Sequence, residues 1–94
     1  MHVLVIGSGG REHALCWGVA RSSLATRLSC CPGNGGIANL AECVDISVED
    51  FDDIVAHCHR ETVDFVIVGP EVPLVGGLVD RLEQEGILAL GPNR

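Results

Sequence analysis

The sequence predicts an α/β domain, a small parallel sheet with helices on both faces, and three observations carry that prediction. Apolar β-branched runs alternate with segments of helical spacing along all 94 residues, the pattern of parallel strands joined by right-handed crossovers. The run Asp64-Phe-Val-Ile-Val68 is continuously apolar after its first residue, as in a strand covered on both faces. Three loops rich in glycine or proline, Gly7 to Glu12, Pro32 to Gly36 and Gly69 to Pro73, each follow a strand, at the edge where such sheets bind ligands.

The elements follow in order. Residues 2 to 6 form the first strand, and a helix over about 11 to 22 presents Ala14, Leu15, Gly18 and Val19 on one face. A second strand, Arg27 to Cys31, ends at the loop Pro32-Gly33-Asn34-Gly35-Gly36. Ile37 to Leu40 reads as a short helical turn and Cys43 to Ile46 as a short third strand. Ser47-Val-Glu-Asp50 has the spacing of a capping signal for a helix at about 49 to 61. In that helix Phe51, Ile54, Val55 and Cys58 make the apolar stripe, and both His57 and His59 are expected toward solvent. After the fourth strand, Leu74, Val75, Leu78, Val79 and Leu82 recur at helical spacing, and Gly86-Ile-Leu-Ala-Leu90 supplies the last strand.

Composition narrows the function classes. A chain of this length that is 47% hydrophobic buries one core, so residues 1–94 are expected to form one domain. Its net charge is −7, with no lysine and six scattered arginines, which argues against a nucleic-acid or anionic-membrane partner. No apolar run approaches 18 residues and no signal-type start is present, so the chain reads as cytoplasmic. The five cysteines lack C-x-x-C spacing and read as buried free thiols. His57-Cys58-His59 is not a metal site by its spacing, because adjacent residues on a helix point in different directions.

The richest motif is Gly7-Ser-Gly-Gly-Arg-Glu-His-Ala14 at the first strand-to-helix junction. Glycines there let backbone N–H groups approach an anion, and the helix aims its unpaired N–H groups and positive dipole end at the same point. A dinucleotide fingerprint would place glycine where Glu12 stands, and a carboxylate after the second strand. Cys30-Cys31-Pro32-Gly33 stands there instead, which disfavours a nicotinamide or flavin cofactor. Arg11 opposes the dipole of its helix, so it reads either as offset by a bound anion or as a solvated arginine. Glu71 reads either as a carboxylate for two sugar hydroxyls or as an ordinary first-turn acid.

Together these residues resemble a known family. The first motif with Trp17, then Pro32-Gly33-Asn34 with Gly36, then Asp64 to Leu74 with Gly77, Leu78 and Asp80, and finally Gly86-Ile87 with Gly91-Pro92 are similar to the amino-terminal domain of the phosphoribosylamine-glycine ligases, also called glycinamide ribonucleotide synthetases. Gly18 stands where the family usually has lysine, and Cys16 where a small residue is common. The resemblance implies a Rossmann-like domain preceding an ATP-grasp fold, and therefore a fragment or isolated domain of a longer enzyme. That enzyme joins phosphoribosylamine to glycine in purine synthesis. ATP phosphorylates the glycine carboxylate, and the amine of phosphoribosylamine attacks.

ATP and magnesium or manganese are implied to sit in the later domains, with no catalytic or metal residue in this chain and no activity from it alone. What remains is the sugar-phosphate. Gly9, Gly10, Arg11 and Glu12 are expected at the phosphate end, Pro32, Gly33 and Asn34 at an adjoining wall, and Glu71 at the ribose hydroxyls. Two rivals remain, a free-standing Rossmann-like nucleotide or phosphate module and a non-catalytic docking domain.

Overall fold

A computed structural model describes residues 1–69 and 75–91. Five strands and three helices alternate: β1 (His2–Gly7), α1 (Gly10–Ala20), β2 (Arg27–Pro32), a 3-10 turn (Ile37–Asn39), β3 (Glu42–Cys43), α2 (Phe51–Arg60), β4 (Phe65–Val68), α3 (Val75–Gln84) and β5 (Leu88–Leu90). The sheet is entirely parallel, in the order β3-β2-β1-β4-β5. The strand order reverses at β1, so the carboxyl ends of β1 and its neighbours flank a crevice.

Strand pleating divides the core into two layers. Leu4 and Ile6 of β1 pair in register with Val66 and Val68 of β4. These four side chains meet Ile54, Val55 and Cys58 of α2 and Leu78 and Leu82 of α3 on one face. Val3 and Val5, beside Leu28 and Cys30 of β2, meet Cys16 of α1 and Ile37 of the 3-10 turn on the other. The expected helices on both faces are present.

Four local readings are corrected. On α1 the buried residues are Glu12 and Cys16, with Leu15 and Val19 partly buried, while Ala14 and Gly18 are exposed. The face is rotated because Glu12, four residues before Cys16, turns inward beneath the first turn. On α2, His57 is buried and only His59 faces solvent. His57 lies three residues after Ile54 and so shares the stripe.

The cap of α2 is Asp50, whose Oδ1 accepts from the Asp53 N–H at 3.2 Å; Ser47 accepts instead from the Glu49 N–H at 3.2 Å. β3 is only two residues long, because Ile46 N–H donates back to the Val44 carbonyl at 2.9 Å and curls the chain away from β2. Four of the five free cysteines are buried, and Cys43 is exposed.

Burial also sets the chemistry of two histidines. His2 is satisfied, its Nε2 lying 2.7 Å from Ser29 Oγ and its Nδ1 3.2 Å from the Glu61 carbonyl. His57 is not: its Nε2 is buried without a partner. Desolvation first, and the nearby Arg60 guanidinium second, hold the His57 imidazole below the usual histidine range.

Candidate functional site

The candidate site lies where the chain leaves the carboxyl ends of β1, β2 and β4. Gly7 ends β1 with φ +137°, a conformation that side chains rarely adopt, and the chain turns at Ser8 and Gly9 into α1. Gly9 is the N-cap of α1, in extended conformation. It has no side chain, so it supplies no side-chain cap to the first turn of α1. Gly10 is exposed, with open space around a Cβ built on it. Arg11 is exposed beside it on the first turn.

Glu12 does something different from its neighbours. It is 1% exposed, and its side chain fills the space left by two glycines, one ending β1 and the other just beyond β4. A Cβ on Gly7 would fall 2.3 Å from Glu12 Oε1, and one on Gly69 would fall 2.6 Å from Glu12 Cδ. Oε1 accepts from the Gly9 N–H at 3.4 Å, half of a capping box reaching back to the N-cap. Oε2 is buried without a partner. Glu12 thus lies under the turn, between β1 and the exit of β4, rather than on its open side.

The second loop is tied to the first. Pro32 ends β2 through a cis Cys31–Pro32 peptide, and the Gly33 N–H donates to the Gly7 carbonyl at 3.1 Å. Gly33 has φ +74°, and a Cβ there would meet Cys43 Sγ at 2.5 Å, so glycine is required both by conformation and by space. Asn34 spans the two loops. Its Nδ2 donates to the Ser8 carbonyl at 2.5 Å, while its Oδ1 accepts from the Ile37 N–H at 2.9 Å and starts the 3-10 turn.

Beneath them the Cys30 thiol donates to the same Gly7 carbonyl at 3.2 Å. The hydrogen bond with Cys16 and burial push the Cys30 thiol far up, so it stays protonated as a donor. Burial likewise pushes the neighbouring Cys31 thiol up to about 12.

The structure therefore brings together Gly9, Gly10, Arg11, Glu12, Pro32, Gly33 and Asn34. Glu71 lies outside the described residues. The residue before that segment, Gly69, donates from its N–H to the Ile6 carbonyl at 2.9 Å and packs on Glu12, so the third loop leaves from the same place. Sequence reasoning named His13 and Gly36 only as motif and loop positions and gave neither a role in the site. A Cβ on Gly36 would lie 2.8 Å from His13 Cε1 and 3.4 Å from Asn34 Oδ1, so half-buried His13 fastens α1 to the second loop. His13 sits inside the first motif and would have been found by asking which side chain of that turn faces the next loop. The donors gathered here, backbone N–H groups beside a guanidinium, suit an anion. Among the described residues no group of three or more His, Cys, Asp or Glu side chains could hold a metal ion.

Comparison with known proteins agrees with this architecture. The family model described as phosphoribosylglycinamide synthetase, N domain, matches residues 1–94. The chain belongs to that family. It is 52% identical over 94 residues to the phosphoribosylamine–glycine ligase of Brucella melitensis biotype 1, covering all of this chain and 22% of that protein. Over 94 residues it is 50% identical to the enzyme of the same name from Agrobacterium fabrum and 47% identical to that from Halalkalibacterium halodurans, with the same coverage. The chain spans about a fifth of the length of these curated relatives. Among the described residues no helix is long and apolar enough to cross a membrane.

Proposed function

We propose that this domain holds the sugar-phosphate substrate of a phosphoribosylamine-glycine ligase, with residues 1–94 acting as its amino-terminal substrate-binding domain in the cytoplasm. The observation that carries the reading is the joining of the β1–α1 turn to the β2 loop by Asn34, whose side chain bonds both. That joint supports the reading by tying the amino-terminal turn of α1 to the second loop. In this reading Gly9 and Gly10 shape the turn that lets the phosphate approach, and the Gly10 N–H, with Arg11, takes it. Pro32, Gly33 and Asn34 line the adjoining wall, and Glu71 accepts from the ribose hydroxyls. Glu12 supports the turn from below.

The remaining domains of the longer polypeptide bind ATP, magnesium or manganese, and glycine, and supply the phosphoryl chemistry. This chain's share is to orient the amine of phosphoribosylamine toward them, a contribution of positioning.

The test is product formation by the full-length gene product from phosphoribosylamine, glycine and ATP. Glu71→Ala should raise the KM for phosphoribosylamine by about tenfold, as for a lost charge-assisted hydrogen bond of about 1.4 kcal/mol, with the KM for ATP unchanged. An unchanged KM for phosphoribosylamine sinks the role of Glu71, and absence of product sinks the ligase reading.

A further inference from the structure

A parallel sheet is normally covered on both faces, and here one corner of it is only partly covered among the described residues. On the face that carries α1, that helix lies over β1 and β2. Next to it, Phe65 and Ile67 of β4 pair in register with Leu88 and Leu90 of β5. Phe65 and Ile67 are half-buried, while Leu88 and Leu90 are 63% and 56% exposed. The opposite side of the same strands is closed, with Val66, Val68 and Ala89 packed into the core beside α2 and α3. Phe65 and Ile67 touch the edge of the core beneath α1, so the two pairs form one continuous apolar patch whose outer half, Leu88 and Leu90, is uncovered among the described residues.

We infer that the Phe65, Ile67, Leu88 and Leu90 face is the seat of an amphipathic helix from the remainder of the polypeptide, packed beside α1. The inference rests on the proposal that this domain works within a longer ligase, and the relatives' length, of which this chain covers 22%, supplies the chain for it. Size selects the occupant. Two strands about 4.8 Å apart and three residues of about 3.3 Å rise make a seat roughly 10 Å on each side, the diameter of one helix. A stable interface between two copies needs about 800 Å² from each partner, several times what this patch offers. A tethered helix needs far less area, because it is already held near the sheet and does not lose the freedom of a separate molecule. Its apolar stripe would recur at three- and four-residue spacing, as on α2 and α3.

The experiment introduces single thiols into the full-length gene product by Leu88→Cys and, separately, Leu90→Cys. Leu24→Cys serves as the control, since Leu24 is 70% exposed. Alkylation is followed by peptide mapping, so that native Cys43 is read apart. The thiols at positions 88 and 90 should react about tenfold more slowly than that at 24, as expected for a locally protected site, at every protein concentration. Reaction as fast as the control at both positions overturns the inference, and so does protection that disappears on dilution, which would mean a second copy. Product formation by the same proteins is scored separately: protection without ligase activity would leave the seat standing and remove the functional reading, while activity without protection would do the reverse.

Discussion

Replacing Gly69 by alanine tests the packing of Glu12 beneath the first turn. The added Cβ would lie 2.6 Å from Glu12 Cδ and 2.7 Å from Glu12 Cγ, about 1 Å inside ordinary contact. Glu12 has little room to retreat, since its carboxylate already fills the space beside Gly7, where a Cβ would fall 2.3 Å from its Oε1. Overpacking of this kind costs about 1–3 kcal/mol, and the double overlap places Gly69→Ala at about 2–3 kcal/mol. Glu12→Ala removes the obstacle. It loses one hydrogen bond and some packing, offset by removal of the buried, unpartnered Oε2, for a net cost of about 1–2 kcal/mol.

With both changes the new methyl group enters the vacated space, so Gly69→Ala should then cost under about 0.5 kcal/mol, a coupling of about 2 kcal/mol. A 94-residue domain is stable by about 5–14 kcal/mol, so all three variants should remain folded. Urea unfolding monitored by circular dichroism gives the cycle, and each kcal/mol corresponds to about 4–8 °C in Tm. Costs that add to within about 0.5 kcal/mol would refute the packing argument.

Three further outcomes follow from other positions. Gly18→Ala should stabilise the domain by about 0.5–1 kcal/mol in the same unfolding assay, because the position is helical and a Cβ there meets nothing within 4 Å; a loss of stability would mean that the outer face of α1 is not free. Acidification below about pH 6.5 should lower the denaturation midpoint, because burial and Arg60 keep His57 unprotonated in the fold while the unfolded chain takes up the proton. Stability from this group is full above that pH and is lost as pH falls toward the folded-state value. His57→Leu should flatten the slope between about pH 7 and 5.5, and an unchanged slope would assign the effect elsewhere. Asn34→Ala should raise the KM for phosphoribosylamine in the full-length protein by about threefold to tenfold, the loss of its exposed bond to Ser8 and its part-buried bond to Ile37 being worth about 1 kcal/mol, with kcat changed less; equal effects on the KM for ATP would argue for general loosening.

β1 and β4 were legible in the sequence because continuous apolar β-branched runs have few alternatives in a chain this short, whereas the third strand was misplaced because the chain turns back at Val44 to Ile46. The faces of the helices were less so. On α2, apolar residues mark the stripe, and His57 belongs to it by spacing, but a polar type discouraged placing it inside. Its burial is a tertiary outcome, with Ile54 and Cys58 on the same face carrying the imidazole in and leaving Nε2 unpaired. On α1 the pattern is weaker, because the residue that fixes the rotation of the helix is an acid. Cap residues were similarly ambiguous: Ser47 and Asp50 both suit the start of α2, and only the carboxylate of Asp50 stands at the right distance from the Asp53 N–H.

The same residue type explains why the first motif was readable as an anion turn yet incomplete as a fingerprint. In dinucleotide-binding turns the third glycine lets the helix approach its strand. Here Glu12 occupies that position, and the approach is kept by removing side chains from the opposing backbone, at Gly7 and at Gly69. Those glycines are 62 residues apart, so no local window shows that they serve one side chain. The exchange has a functional consequence. A glycine at position 12 would leave the first turn and the β4 loop as separate neighbours, whereas the buried side chain couples them. The loop that leads to Glu71 therefore departs from the same packed point as the turn that presents Gly9, Gly10 and Arg11. If the domain holds a sugar-phosphate as proposed, Glu12, wedged between the backbones at Gly7 and Gly69, fixes the two points from which the phosphate turn and the loop toward Glu71 depart.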